Sequence, residues 1–171
     1  DSVWISQGAT YANTSWVYDG SQWLSYNADS GMADSWIITC MEDNGRIWFG
    51  TDDGITVLDD GCWATYDREK GVPQNWVYAV DVDSKNAIWM GTNRGIAKFD
   101  HHIWSVYIHS NGDYPINSIR SAYIDDRDYA WFGTLGGVVQ FDGSSWKIYK
   151  RADGLASDSV YAIARDLQGN M

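Results

Sequence analysis

Trp48-Phe49-Gly50-Thr51 returns as Trp89-Met90-Gly91-Thr92 and as Trp131-Phe132-Gly133-Thr134, with a weaker copy at Trp4-Ile5-Ser6-Gln7. The copies are 44, 41 and 42 residues apart. A second ladder runs Asp19, Asp59, Asp100 and Asp142. Each Asp is followed four residues on by Trp23, Trp63, Trp104 or Trp146, and three further on by Tyr26, Tyr66, Tyr107 or Tyr149. A third ladder, Asp43, Asp83, Asp125 and Asp166, closes an alternating apolar stretch in each copy. Three ladders in one register mark four copies of a single unit, and a period near 42 residues belongs to repeat architectures.

Within one unit the punctuation spells four short strands. Ser35 to Met41 is rich in β-branched residues, and Asp43-Asn44-Gly45 is a tight turn. Ile47 to Thr51 is a strand, Asp52-Asp53-Gly54 a turn, and Ile55 to Leu58 a strand. Asp59-Asp60-Gly61 turns again into Trp63 to Tyr66. Gly, Asn and Asp at such turns accept positive φ or bond their own backbone. No helical period competes, so the chain reads as all-β. Four antiparallel strands in about 42 residues match one blade of a β-propeller, whose small sheets must stack face to face to bury themselves. The eight ladder indoles are expected as core wedges between blades. The Gly two residues after each full-copy Trp is expected where a neighbouring backbone comes close. The array is read as one domain, 1–171, with copies at about 1–43, 44–83, 84–125 and 126–171.

Gly154-Leu155-Ala156-Ser157-Asp158-Ser159-Val160-Tyr161-Ala162-Ile163-Ala164-Arg165-Asp166, the Trp-Phe-Gly-Thr strands and the Gly-Val-x-x-Phe-Asp pattern resemble the two-component regulator propeller repeat. The resemblance spans essentially the whole chain and is weakest over 1–15. It implies a propeller fold, usually built from more repeats than four. It also implies an extracytoplasmic (periplasmic or secreted) sensor ectodomain, in several members one that recognises oligo- or polysaccharides. This stretch carries no kinase, receiver or DNA-binding segment.

The copies are permuted by one strand. We letter the blade strands A to D from the inside out. The chain opens on a B strand (Val3-Trp4) and closes after an A strand (160–166). Three arrangements satisfy this pattern: four self-closed blades, two chains exchanging ends in an eight-bladed homodimeric ring, or a piece of a longer protein. The start at Asp1-Ser2-Val3-Trp4, with no initiator Met, is expected of a processed or excised piece.

Composition excludes other classes. With 12 basic and 23 acidic residues the net charge is −11, a surface that repels nucleic-acid phosphates. No apolar run approaches the roughly 20 residues of a membrane span. At 44% hydrophobic the chain has enough apolar surface to fold. Cys40 and Cys62 are expected as free thiols, and His101, His102 and His109 have no zinc-site spacing with them. No metal or cofactor is called for. There is no Gly-x-Ser-x-Gly elbow, phosphate loop or His-Glu-x-x-His, so catalysis is not expected, although a propeller lyase or hydrolase leaves little linear signature.

Ligands of propellers gather where the B–C turns and D–A loops converge. Departures from the repeat are the best guide to a site there. The first B–C loop is long and carries Tyr11. Trp36 and Trp76 stand where the other copies have Ser118 and Ser159. Asn75, Arg94, Asp52, Asp53 and Tyr114 add polar and aromatic variety. Indoles beside amides, carboxylates and an Arg suit a sugar, whose C–H faces stack while its hydroxyls bond. The competing reading makes Trp36 and Trp76 plugs between inner strands. A self-assembling interaction scaffold is the alternative function. Asp52-Asp53, Asp81-x-Asp83 and Asp125-Asp126-x-Asp128 read as turn formers rather than calcium loops, and His101-His102 as a solvated C–D turn.

Overall fold

The computed structural model describes residues 3–7, 14–18, 21–31, 36–72, 76–107, 118–166 and 171. Fifteen strands and three single-turn 3₁₀ segments are present among them. The strands β1 (Val3–Gln7), β2 (Thr14–Tyr18) and β3 (Trp23–Tyr26) form a three-stranded sheet in sequence order. A four-stranded antiparallel sheet follows: β4 (Ile37–Asp43), β5 (Arg46–Thr51), β6 (Gly54–Asp59) and β7 (Cys62–Tyr66). The next comprises β8 (Val77–Val82), β9 (Ile88–Thr92), β10 (Ile96–Phe99) and β11 (Trp104–Tyr107). The last comprises β12 (Ile119–Ile124), β13 (Ala130–Thr134), β14 (Gly137–Phe141) and β15 (Trp146–Tyr149). The chain has two compact units, Asp1–Val77 and Tyr78–Met171. The all-β propeller class read from the repeats is what the structure has: antiparallel meanders, of which the three four-stranded sheets run from strand A to strand D in sequence order.

Local chemistry explains the meanders. Asn44 and Gly45 both take positive φ, as do Asp60 and Gly61, which is the twist a two-residue hairpin needs. The Thr of each Trp-x-Gly-Thr strand builds the B–C turn. Thr51 Oγ1 donates to the Gly54 carbonyl at 3.0 Å and accepts from the Asp53 amide at 3.0 Å. Thr92 does the same with Gly95 and Arg94, and Thr134 with Gly137 and Gly136. All three Thr side chains are buried, so the hydroxyl offsets its own desolvation by fixing the turn.

The Trp ladders prove more varied than expected. Trp48 and Trp89 are buried, whereas Trp63, Trp104, Trp131 and Trp146 are only half-buried and Trp23 is 52% exposed. A ladder position fixes which way an indole points; burial also needs a neighbouring sheet on that side. The B-strand Trp stacks on the D-strand Tyr of its own blade: Trp48 on Tyr66, Trp89 on Tyr107 and Trp131 on Tyr149, at centroid separations of 6.4, 5.9 and 5.7 Å.

The third Asp ladder also acquires a purpose. Asp83 and Asp125 each accept from the indole N–H of the Trp six residues on, Trp89 at 3.1 Å and Trp131 at 3.0 Å. In β4–β5 the spacing is five, because Asn44-Gly45 makes a tighter turn. There Asp43 Oδ2 and Trp48 Nε1 are buried without a hydrogen-bond partner among the described residues. One residue of turn length decides whether the clamp closes.

The expected A strand at 160–166 has no strand assignment. The Val160 amide donates to the Thr134 carbonyl at 2.8 Å, and Arg165 pairs with Asp126 at 3.0 Å. The D–A loops carry the 3₁₀ turns Ala28–Ser30, Arg68–Lys70 and Arg151–Asp153, the latter two closed by left-handed Gly71 and Gly154.

Candidate functional site

The register Ile37↔Thr51 in β4–β5 places Trp36 opposite Asp52 at the B–C end of the blade. The Trp36 amide donates to Asp52 Oδ1 at 2.7 Å, and the Asp52 amide donates to the Trp36 carbonyl at 3.1 Å. Two bonds therefore hold the backbone beneath an indole that is 46% exposed. Asp53 is exposed beside them, its amide on Thr51. Trp76, in the same compact unit, is 44% exposed and precedes fully buried Val77 as Trp36 precedes buried Ile37. In both copies the ring at the strand entry is at the surface while the next residue enters the core.

Arg94 lies in the second unit on the β9–β10 turn, exposed, with its amide on Thr92. Tyr11, Asn75 and Tyr114 lie outside the described residues. His101 and His102 form the C–D turn after β10, where a ring nitrogen of His101 lies 2.6 Å from the Asn86 carbonyl oxygen. No group of three or more potential metal ligands occurs among the described residues. None of their helices is long and apolar enough to cross a membrane.

A second constellation was not singled out in the sequence. Lys98 stands opposite Trp89 in the β9–β10 register, where the other full blades carry Val57 and Gln140. Its ammonium contacts Asp83 Oδ2 at 2.6 Å and sits 4.7 Å over the Trp89 ring. Burial pushes the Asp83 carboxyl up. The Lys98 ammonium, the Trp89 indole and the Ala87 amide outweigh it and hold the group below its ordinary range. The cluster lines a cleft of about 360 Å³ with Tyr107, Arg127 and Asp128. Its signal was a single Lys in an otherwise uncharged third-strand position, visible only once strands are paired.

Cys40 on β4 and Cys62 on β7 are both free, Cys62 exposed and Cys40 half-buried. Burial pushes the Cys40 thiol up. Because the thiolate is the nucleophile, a maleimide at neutral pH should modify Cys62 at least roughly tenfold faster than Cys40. Peptide mapping of a time course checks this, and equal rates would contradict the burial of Cys40.

No family model matches this chain, and no curated protein matches it. Solved structures do. The extracellular domain of the hybrid two-component system BT3049 from B. thetaiotaomicron superposes with a TM-score of 0.78 at 21% identity, over 95% of this chain and 23% of that one. The extracellular domain of the one-component system BT4673 from the same organism gives 0.79 at 18%, over 99% and 24%. Virginiamycin B lyase from Staphylococcus aureus gives 0.69 at 17%, over 87% and 52%. The class is therefore the β-propeller. This chain spans about a quarter of those ectodomains and about half of the lyase.

Proposed function

We propose that this chain is a non-catalytic recognition module of an extracytoplasmic sensor propeller, with an oligo- or polysaccharide as its ligand. The observation that carries the reading is Trp36: a half-exposed indole on a backbone locked to Asp52, with Asp53 alongside. An indole fixed before binding stacks on a sugar at little entropic cost, and adjacent carboxylates accept from its hydroxyls. Trp76, Asn75, Arg94, Tyr11 and Tyr114 complete the proposed set. The ectodomain likenesses support the sensor setting, and the lyase likeness makes turnover the outcome to watch.

A glycan panel read by Trp fluorescence tests this. Trp36→Ala with Trp76→Ala should weaken any positive glycan at least roughly tenfold, since each stacked ring contributes on the order of 1 kcal/mol. A folded double variant that binds every positive glycan unchanged would sink the sugar reading. Accumulation of cleaved product would move the assignment to a lyase or hydrolase.

The second reading, a self-assembling scaffold that includes the two-chain eight-bladed ring, is favoured by a separate observation. Trp23 is exposed at the face of β1–β3, and an apolar groove of about 510 Å³ opens on β12–β15. Exposed apolar side chains and apolar grooves, each taken by itself, suit an interaction site.

A further inference from the structure

Both four-stranded sheets of the second compact unit are complete, and together they line the cleft of about 360 Å³ at Asp83 and Lys98. Every lining residue belongs to β8–β15 or to the turns that join them, so neither end of the chain bounds it. One side is aromatic. Tyr107 stacks on Trp89 at 5.9 Å and 11°, and Phe141 meets Tyr107 at 5.4 Å and Trp89 at 6.0 Å. Ligand pockets run from about 300 to 1,000 Å³, so this one has room for a single substituted ring.

Three carboxylates and three cations line the rest. The carboxylates are engaged by the protein itself. Asp83 accepts four bonds, from the Lys85 and Ala87 amides, the Trp89 indole and the Lys98 ammonium. Asp142 also accepts four, from the amides and hydroxyls of Ser144 and Ser145. Four is about the capacity of a carboxylate. Asp128 accepts from the Ser84 amide at 2.8 Å and from its hydroxyl at 2.6 Å. The Ser84 hydroxyl and amide hold the Asp128 carboxyl below its ordinary range, and the Ser145 hydroxyl, with its neighbouring donors, does the same for Asp142. With Asp83 held low as well, none of the three carries a proton to donate at neutral pH. The cations have bonds to spare. An ammonium has three N–H donors, and Lys98 gives one to Asp83. Lys85 and Arg127 are exposed and form no ion pair among the described residues. What the cleft offers a ligand is cationic N–H beside an aromatic wall, in a chain of net charge −11.

We propose that this cleft binds a ring-bearing monocarboxylate, its carboxylate held by Arg127, Lys85 and Lys98 and its ring against Tyr107 and Phe141. The guanidinium fork matches a planar carboxylate in two parallel bonds. Formal charge in the lining cancels, three against three, so one negative charge is accepted where a dianion is repelled by the neighbouring carboxylates. An aromatic acid and a uronic sugar share this chemistry. The site has no residue in common with the Trp36 set and goes beyond that reading.

The test is a titration of the ¹⁵N-labelled chain, followed by NMR at neutral pH, with benzoate and with D-glucuronate. At least one should shift the amides of 84–87 and 126–129 and the Trp89 indole N–H. Its neutral amide, benzamide or D-glucuronamide, should bind at least roughly tenfold more weakly, as expected when charge-assisted bonds are lost. Lys85→Ala with Arg127→Ala, two exposed positions that leave the fold intact, should weaken binding by a similar factor. A response to benzoate alone assigns an aromatic acid, and a response to D-glucuronate alone assigns an acidic sugar. The proposal is overturned if neither carboxylate moves these signals, if the amide binds as tightly, or if the double variant binds as the wild type does. Shifts from D-glucuronate centred on Trp36 instead overturn this cleft and leave the sugar reading standing.

Discussion

Gly91→Ala is expected to lower the thermal midpoint by roughly 6–12 °C. A Cβ at Gly91 would overlap the Ile119 side chain, which is fully buried at the start of the next inner strand. Neither side has room: Gly91 sits mid-sheet on β9, and Ile119 packs with Trp89 and Phe132 in one apolar cluster. Overpacking a tight core costs about 3 kcal/mol at the upper end, and in a chain of this size 1 kcal/mol moves the midpoint about 2–4 °C. The same device recurs. A Cβ on Gly50 would lie 2.9 Å from the Val77 carbonyl oxygen, and one on Gly133 would lie 2.9 Å from that of Val160. Gly61→Ala is the control. That turn has φ of +76° with nothing within 4 Å, so only the left-handed backbone penalty of about 1 kcal/mol applies. Circular-dichroism melts of the two variants decide the matter. If Gly91→Ala melts no lower than Gly61→Ala, the glycine is not what lets the next inner strand approach.

Those glycines show why the architecture was legible in the sequence. A strand that must admit a neighbouring backbone on one side and an indole on the other has few ways to be written, so Trp-x-Gly-Thr repeats. The turns were legible because Asn44-Gly45 and Asp60-Gly61 adopt the positive φ that their chemistry allows. Burial was not legible. Trp23 and Trp63 share a ladder, yet one is exposed and the other half-buried, because burial belongs to the pair of sheets and not to the residue. Of the candidate site, the shared location of Trp36 and Asp52 could be read from one hairpin end. The bonds that fix them depend on a register the sequence does not spell. The Asp83–Lys98–Trp89 cluster was invisible for the same reason: its members are near only after β9 and β10 pair. The unequal Asp-to-Trp spacing was visible, but its consequence, a Trp48 indole with no hydrogen-bond partner among the described residues, is a matter of three-dimensional reach.

Asp83→Asn is expected to cost about 3–5 kcal/mol, the range for removing one partner of a buried charged pair. The substitution keeps an oxygen for the Lys85 and Ala87 amides, which Asp83 Oδ1 now accepts at 3.0 and 2.9 Å. It replaces Oδ2 by an NH₂ group that faces two donors, the Trp89 indole and the Lys98 ammonium. Lys98→Val, which copies Val57 of the preceding blade, should cost less, about 1–3 kcal/mol, because the carboxylate retains the indole and the amides. The double variant should fall short of the sum by roughly 1–3 kcal/mol, since both changes strike one contact. The pH dependence separates this account from simple loss of packing. A carboxyl held below its ordinary value stabilises the fold above the unfolded pKa, near about 4, and that contribution disappears as pH falls through the folded value. Lys98→Val removes the ammonium and leaves burial, which pushes the Asp83 carboxyl up. The acid limb of the stability curve should therefore begin at a higher pH than in the wild type. Asp125 is an internal reference. Its indole bond to Trp131 has Gln140 where β10 has Lys98, and its carboxyl is untouched by either change. Urea titrations at a series of pH values read the shift directly. If the acid limbs of wild type and Lys98→Val superimpose, the Lys98 ammonium is not what holds Asp83 ionised.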